Sequence, residues 1–311
     1  MVSLVVSTAM ENQDRPAGRY APSPSGTLHV GNLRTALLAW LFARSTDRRF
    51  LIRMEDLDRT AVGADAQQLT DLAALGIDWE PPVVYQSDRL ATYASVIDGL
   101  SATGRTFECF CTRREILEAP SAPHTPPGAY PGTCRHLSDA ERAERRAAGR
   151  PPAIRIRTDA DEFTVTDMLH GDYSGSVDDF VIRRNDGTPA YNLAVVVDDA
   201  AQGIDQVVRG DDLLSSAPRQ AYLATLLGHC PPTYAHVPMV LNHDRVRLSK
   251  RDGAVTLTDL AELGLSVGDV VSRMAVSLGM AEPGEQVTAA DLLRRFDPAA
   301  LPREPWLFAI S

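Results

Sequence analysis

The chain has 311 residues, 44% of them hydrophobic and 23% charged, which supports one or two folded domains and excludes a fibre or a wholly disordered chain. No apolar stretch reaches the roughly 20 residues a membrane helix requires, and Val2 to Ala9 lacks the basic flank and cleavage site of a secretory leader, so a cytoplasmic, membrane-free protein is expected. The formal net charge of −10 excludes a surface that grips nucleic acid everywhere, but it leaves room for a local basic strip, since only the Lys and Arg residues facing phosphates contribute.

Residues 1–14 carry no periodicity, end in the polar run Glu11-Asn12-Gln13-Asp14 and read as a loose leader, with structure expected from about Arg15. From Arg19 to Asn32 a Pro-, Ser- and Gly-rich stretch runs into Leu33, Ala36, Leu37, Trp40 and Leu41, which recur at helical spacing. Phe50 to Met54 then reads as a buried strand ending in Glu55, Asp56 and Asp58, so the order strand, loop, helix, strand predicts a βαβ unit and a parallel sheet. The Pro-dense Ala119 to Gly132 and the charged helical pattern Ser138 to Arg150 read as an insertion outside that sheet, with His124 a solvated loop residue. Tyr191 to Val197 and Gln206 to Val208, both apolar and β-branched, read as strands, and a helix from about Ala217 completes a second βα pair. After a strand-like Val237 to Leu241 comes a polar loop, Asn242 to Gly253, then helical patterns around Leu260 and from Val267 to Leu278. The expected organisation is a first half over 15–108, an insertion over 109–190, a second half over 191–241, and a loop with a short helical piece over 242–311.

Two loops have the chemistry of phosphate handling. Pro22-Ser23-Pro24-Ser25-Gly26-Thr27-Leu28-His29-Val30-Gly31-Asn32 leads directly into a helix, whose free N–H groups and dipole favour an anion; Gly31 permits close approach and His29 adds a donor that can follow charge developing on a phosphate. The bland alternative for His29 is an ordinary loop histidine. Downstream, Arg247-Leu248-Ser249-Lys250-Arg251-Asp252-Gly253 gathers three cations and a hydroxyl, which is either a solvated surface or a set of charges that neutralises a triphosphate.

The first loop resembles the HIGH signature of class I aminoacyl-tRNA synthetases and the second their KMSKS loop. Asn32 replaces the last His of the first, while Arg247, Leu248 and Arg251 depart from the second; His29, Gly31, Ser249 and Lys250 match. Gly18 to Gly26, Arg53-Met54-Glu55-Asp56, Tyr85-Gln86-Ser87 and Val208 to Leu214 are similar to the segments of the glutamate-specific branch. The resemblance implies a Rossmann-like catalytic core with a zinc-bearing insertion and a short helical C-terminal piece. It implies catalytic roles for His29 and Lys250, and ATP contacts from His29, Gly31, Asn32, Arg247, Ser249 and Lys250. It also implies a glutamate pocket of Arg19, Ala21, Ser23, Glu55, Tyr191 and Arg209, with Arg19 on a substrate carboxylate and Glu55 on the ammonium. For Glu55 and Arg209 the alternative is a structural ion pair.

Cys109, Cys111 and Cys134 cluster, whereas Cys230 stands alone as an inert helix-end residue; C-x-C spacing is natural for zinc and awkward for disulfides. Tyr130 and His136 are the candidates for a fourth ligand, and the resemblance favours Tyr130. Only about sixty residues follow the second loop, which resembles the truncated branch of glutamyl-queuosine tRNA(Asp) synthetases, without an anticodon-binding half. The expected partners are L-glutamate, ATP with Mg²⁺, and tRNA(Asp) carrying queuosine, with one structural Zn²⁺ and a monomeric chain. The competing readings are a truncated glutamyl-tRNA synthetase charging the tRNA 3′ end and a catalytically silent paralogue that binds an adenylate or RNA.

Overall fold

The computed structural model describes residues 15–118, 129–248 and 255–309. The leader, His124 with the surrounding Pro-rich segment, and the stretch holding Ser249 and Lys250 lie outside the described residues.

The first half runs β1 (Ala17–Tyr20), α1 (Val30–Arg44), β2 (Arg49–Met54), α2 (Ala64–Ala74) and β3 (Val84–Tyr85). The middle runs α3 (Leu90–Ala102), β4 (Thr106–Cys109), α4 (Arg113–Glu118), α5 (Asp139–Ala147), β5 (Ala153–Ile156), β6 (Glu162–Asp167), β7 (Gly171–Ser176) and β8 (Val181–Arg183). Then follow α6 (Tyr191–Gln202), β9 (Ile204–Gly210), α7 (Ala217–Leu226), β10 (Thr233–Val237), β11 (Val240–Leu241), α8 (Leu257–Glu262), α9 (Val267–Ser277), α10 (Ala289–Arg295) and β12 (Trp306–Leu307).

Seven strands form the main sheet in the order β3-β2-β1-β9-β10-β6-β7. Its strands pair in parallel except β6 with β7, and β1 lies at the point where the chain's direction of winding reverses. In such sheets the crevice beyond the carboxyl ends of the strands beside that point is where ligands bind. Twelve of the 15 residues of α1 are buried, so this helix is apolar nearly all round and runs through the core between the sheet and α8, α9 and α10. Gly18 permits that closeness, since a Cβ there would lie 2.9 Å from the Ala43 Cβ. A smaller antiparallel sheet, β4-β5-β8, carries the cysteine region. Among the described residues no helix is long and apolar enough to cross a membrane.

Three expectations need correction. Tyr191 to Val197 is not a strand but the start of helix α6, closed by Gly203 in the left-handed region at φ 69°. A continuous apolar run fits a buried helix as well as a buried strand, and here both faces are covered. The residues 109–190 assigned to the insertion include β6 and β7, strands not expected there, which extend the main sheet; β7, Gly-Asp-Tyr-Ser-Gly-Ser, offers almost no apolar pattern to read. The strand expected over Val237 to Leu241 is split: β10 ends at Val237, and β11 pairs with β12 in a separate two-stranded ribbon.

Candidate active site

A cleft of about 650 Å³ opens at the carboxyl ends of β1, β2 and β9. Its lining includes Arg19, Ala21, Ser23, His29, Gly31, Asn32, Glu55, Tyr191, Arg209 and Arg247. Every described residue expected to bind glutamate or ATP is therefore on one surface.

On the phosphate side His29 is the N-cap of α1. The Asn32 N–H donates to His29 Nδ1 at 3.2 Å, and Asn32 Oδ1 accepts from the His29 N–H at 3.3 Å. With Nδ1 used as an acceptor, the neutral ring carries its proton on Nε2. Burial, and then the charge of Arg247, push the imidazole down to about 4, so near neutral pH it is an uncharged donor. Asn32 serves as the partner in this capping box. Gly31 has a further use: a Cβ there would lie 2.9 Å from His29 Cε1, so the glycine makes room for the imidazole. The loop before the helix is held by Gln68 of α2, which is 1% exposed and donates to the Ser23 and Gly26 carbonyls at 3.1 and 2.7 Å. Arg247 donates to Asp212 at 2.9 Å. The chain that leaves the described part after Leu248 re-enters it at Val255, whose carbonyl accepts from the Val30 N–H at 2.8 Å. Both ends of the second loop are thus anchored at the cleft beside the first.

On the amino-acid side three buried arginines differ in how they are balanced. Arg19 Nε and Arg53 Nη1 donate to the same Asp199 oxygen at 3.2 and 2.7 Å, and Arg53 reaches Glu55 at 3.3 Å. Burial works against ionised Asp199, but the two guanidinium groups hold its carboxyl below the usual range. Burial pushes Glu55 up, with Arg53 and Arg19 opposing the shift. Arg209 has only neutral partners among the described residues: His236 Nε2 at 2.9 Å, Gln220 Oε1 at 2.7 Å, the Leu213 carbonyl at 3.4 Å and the Tyr191 hydroxyl at 3.5 Å. At 6% exposure its charge is desolvated and lacks a carboxylate, which suits it to an incoming anion. Tyr191 stands at the first turn of α6, 39% exposed, at the mouth of the cleft.

Sequence reading missed the groups behind this surface. Asp198, fully buried, accepts from Arg89 at 2.6 Å and from Gln86 and Tyr93 at 2.8 Å each. The pair Asp198-Asp199 sits in a run misread as leading out of a strand; followed by Ala200, Ala201, Gln202 and Gly203, it has the composition of a helix end, and that was the available signal.

The sulfurs of Cys109, Cys111 and Cys134 lie within 4.8 Å of one another. The Tyr130 hydroxyl joins them, 3.5 Å from Cys109 Sγ and accepting from the Cys134 N–H at 2.7 Å. His136 is exposed and outside the group. Hydrogen bonding from Cys134, together with the positive charge of Arg155, draws the Cys109 thiol below its ordinary range against the effect of burial. Three thiols and a phenolic oxygen around one point fit tetrahedral zinc.

Residues 17–310 match the family model described as tRNA synthetases class I (E and Q), catalytic domain. The chain is 64% identical over 291 residues to a glutamyl-Q tRNA(Asp) synthetase of Nocardia farcinica, covering 94% of this chain and 92% of that protein. A glutamate–tRNA ligase of Listeria welshimeri is 37% identical over 96% of this chain, which spans 65% of the ligase. Among solved structures, the glutamate tRNA ligase of Elizabethkingia meningosepticum in complex with its amino acid superposes with a TM-score of 0.79 at 25% identity, covering 95% of this chain and 67% of that one.

Proposed function

The chain belongs to the class I tRNA synthetase family for glutamate and glutamine, and from that premise we propose that it activates L-glutamate with ATP and transfers it to queuosine in the anticodon loop of tRNA(Asp). The observation that carries the reading is buried Arg209, its charge met among the described residues only by neutral groups, facing the cleft that the N-terminus of α1 also enters.

In this reading Arg209 and Tyr191 hold the side-chain carboxylate of glutamate, Glu55 accepts from the ammonium, Arg19 steers a carboxylate, and Ala21 and Ser23 line the pocket. An oxygen of the α-carboxylate attacks the α-phosphorus of ATP in line, a P–O bond forms, and the bond to diphosphate breaks. His29 Nε2–H, the helix N-terminus, Arg247, Ser249 and Lys250 stabilise the charge that develops, with Mg²⁺ accompanying the triphosphate. A hydroxyl of the queuosine diol then attacks the acyl carbon, and AMP leaves. Cys109, Cys111, Cys134 and Tyr130 hold a zinc ion that staples the region around β4. The enzyme acts as a monomer in the cytoplasm, where its tRNA is found.

The supporting relatives are the glutamyl-Q tRNA(Asp) synthetases, whose length this chain nearly spans. The test is charging with radiolabelled glutamate on tRNA from cells with and without queuosine. Label on queuosine-containing tRNA(Asp) alone is expected. Label on tRNA(Glu) would instead favour a glutamyl-tRNA synthetase, and no label on either would favour a silent paralogue.

A further inference from the structure

Arg209 receives its orientation from a group the cleft does not expose. His236, on β10 and fully buried, accepts the Arg209 Nε–H at Nε2 over 2.9 Å. Its other nitrogen, Nδ1, lies 2.6 Å from Asp167 Oδ2. Since Nε2 is the acceptor, the single proton of the neutral ring is on Nδ1 and is donated to Asp167. Asp167, at the end of β6, is fixed in turn by the backbone N–H groups of His236, Leu169 and His170, at 3.0, 2.8 and 2.9 Å. A chain of groups therefore runs from the β6–β7 turn through the imidazole to the guanidinium, and it fixes the tautomer of His236.

We infer that His236 is a positioning residue for substrate carboxylate recognition: held by Asp167 as the Nδ1–H tautomer, it turns the Arg209 fork so that its outer nitrogens face the glutamate side chain. Burial holds the His236 imidazole below its ordinary range; Asp167 pulls against this and Arg209 reinforces it. The neutral partner matters chemically. A carboxylate in place of His236 would satisfy the Arg209 charge before substrate arrived, whereas an imidazole lone pair fixes the geometry and leaves the charge for the ligand. Arg19 in the same cleft, which shares Asp199 with the buried Arg53 behind it, shows the contrasting arrangement.

The inference rests on the proposed use of glutamate, and the two are separated by measuring glutamate-dependent ATP–pyrophosphate exchange in the wild type, His236→Leu and His236→Gln. Leucine removes the acceptor while leaving Asp167 its three backbone donors, and glutamine places an amide oxygen near the Nε2 position. His236→Leu is expected to raise the KM for glutamate on the order of ten- to a hundredfold, the scale of losing a hydrogen bond to a charged group, with the KM for ATP changed less than about twofold. His236→Gln should return the glutamate KM to within about threefold of wild type. Equal rises in both KM values, an unchanged glutamate KM in His236→Leu, or no recovery in His236→Gln would overturn the inference while the function stands. A wild type without glutamate-dependent exchange would overturn both.

Discussion

The ring of His29 caps α1 through Nδ1 and presents Nε2–H as its remaining donor, and one substitution separates these tasks. Asparagine is as good an N-cap but has no donor at that position. His29→Asn should therefore leave the melting temperature at pH 7 within about 2 °C of wild type, while lowering glutamate-dependent exchange on the order of 10²-fold. The pH dependence has a definite sign. Between pH 6.5 and about 4 this histidine takes up a proton in the unfolded chain and not in the folded one, so wild-type stability falls as the pH drops through that window. The asparagine variant lacks the loss and should gain about 2 kcal/mol on wild type between pH 7 and pH 5 in urea titrations; an identical difference at both pH values would contradict the neutral assignment. At this scale the sequence was informative wherever a motif names a residue type, as with His29, Arg19 and Arg209. It said nothing of Asp199 or His236, whose roles come from partners 180 and 27 residues away.

Helix α6 shows what element-level reading loses. As a helix, the run from Tyr191 brings its first residue to the mouth of the cleft and sets Asp198 and Asp199 on adjacent faces, so that Asp198 reaches Arg89, Asp199 reaches Arg19, and Arg53 lies against both. Asp199 stands between Arg19 and Arg53, both nearly without exposure; its loss would leave Arg53 with Glu55 and Asp198 but take from buried Arg19 its carboxylate partner. Asp199→Ala should destabilise the fold by about 3–5 kcal/mol, read by chemical denaturation; a cost under about 1 kcal/mol would mean that solvent reaches the cluster. β6 and β7 were illegible for a different reason. Their stability comes from pairing and from covering the sheet edge at β10, and β7 has no apolar alternation to betray it.

For the molecule as a whole, the cysteine region and the cleft belong to separate clusters: Cys109, Cys134, Tyr130, Phe107 and Phe110 form a small core of their own beside the antiparallel sheet. One zinc per chain is expected by elemental analysis. Chelation should lower the melting temperature while glutamate-dependent exchange at 25 °C stays within about twofold, because such a metal contributes folding energy to the unit it closes; loss of exchange with the metal would place it in the chemistry instead. The sequence by itself determined the βαβ start, the cysteine cluster and the types of residue that line the cleft, since each depends on short-range spacing or on a residue's own chemistry. The tertiary structure alone decided which strands share the sheet, that Val255 is hydrogen-bonded to Val30 beside the first loop, and that Arg209, among the described residues, meets no carboxylate in the cleft. Those outcomes depend on burial and on pairing between distant segments, and hydrophobic periodicity carries no record of which partner a buried charge will find.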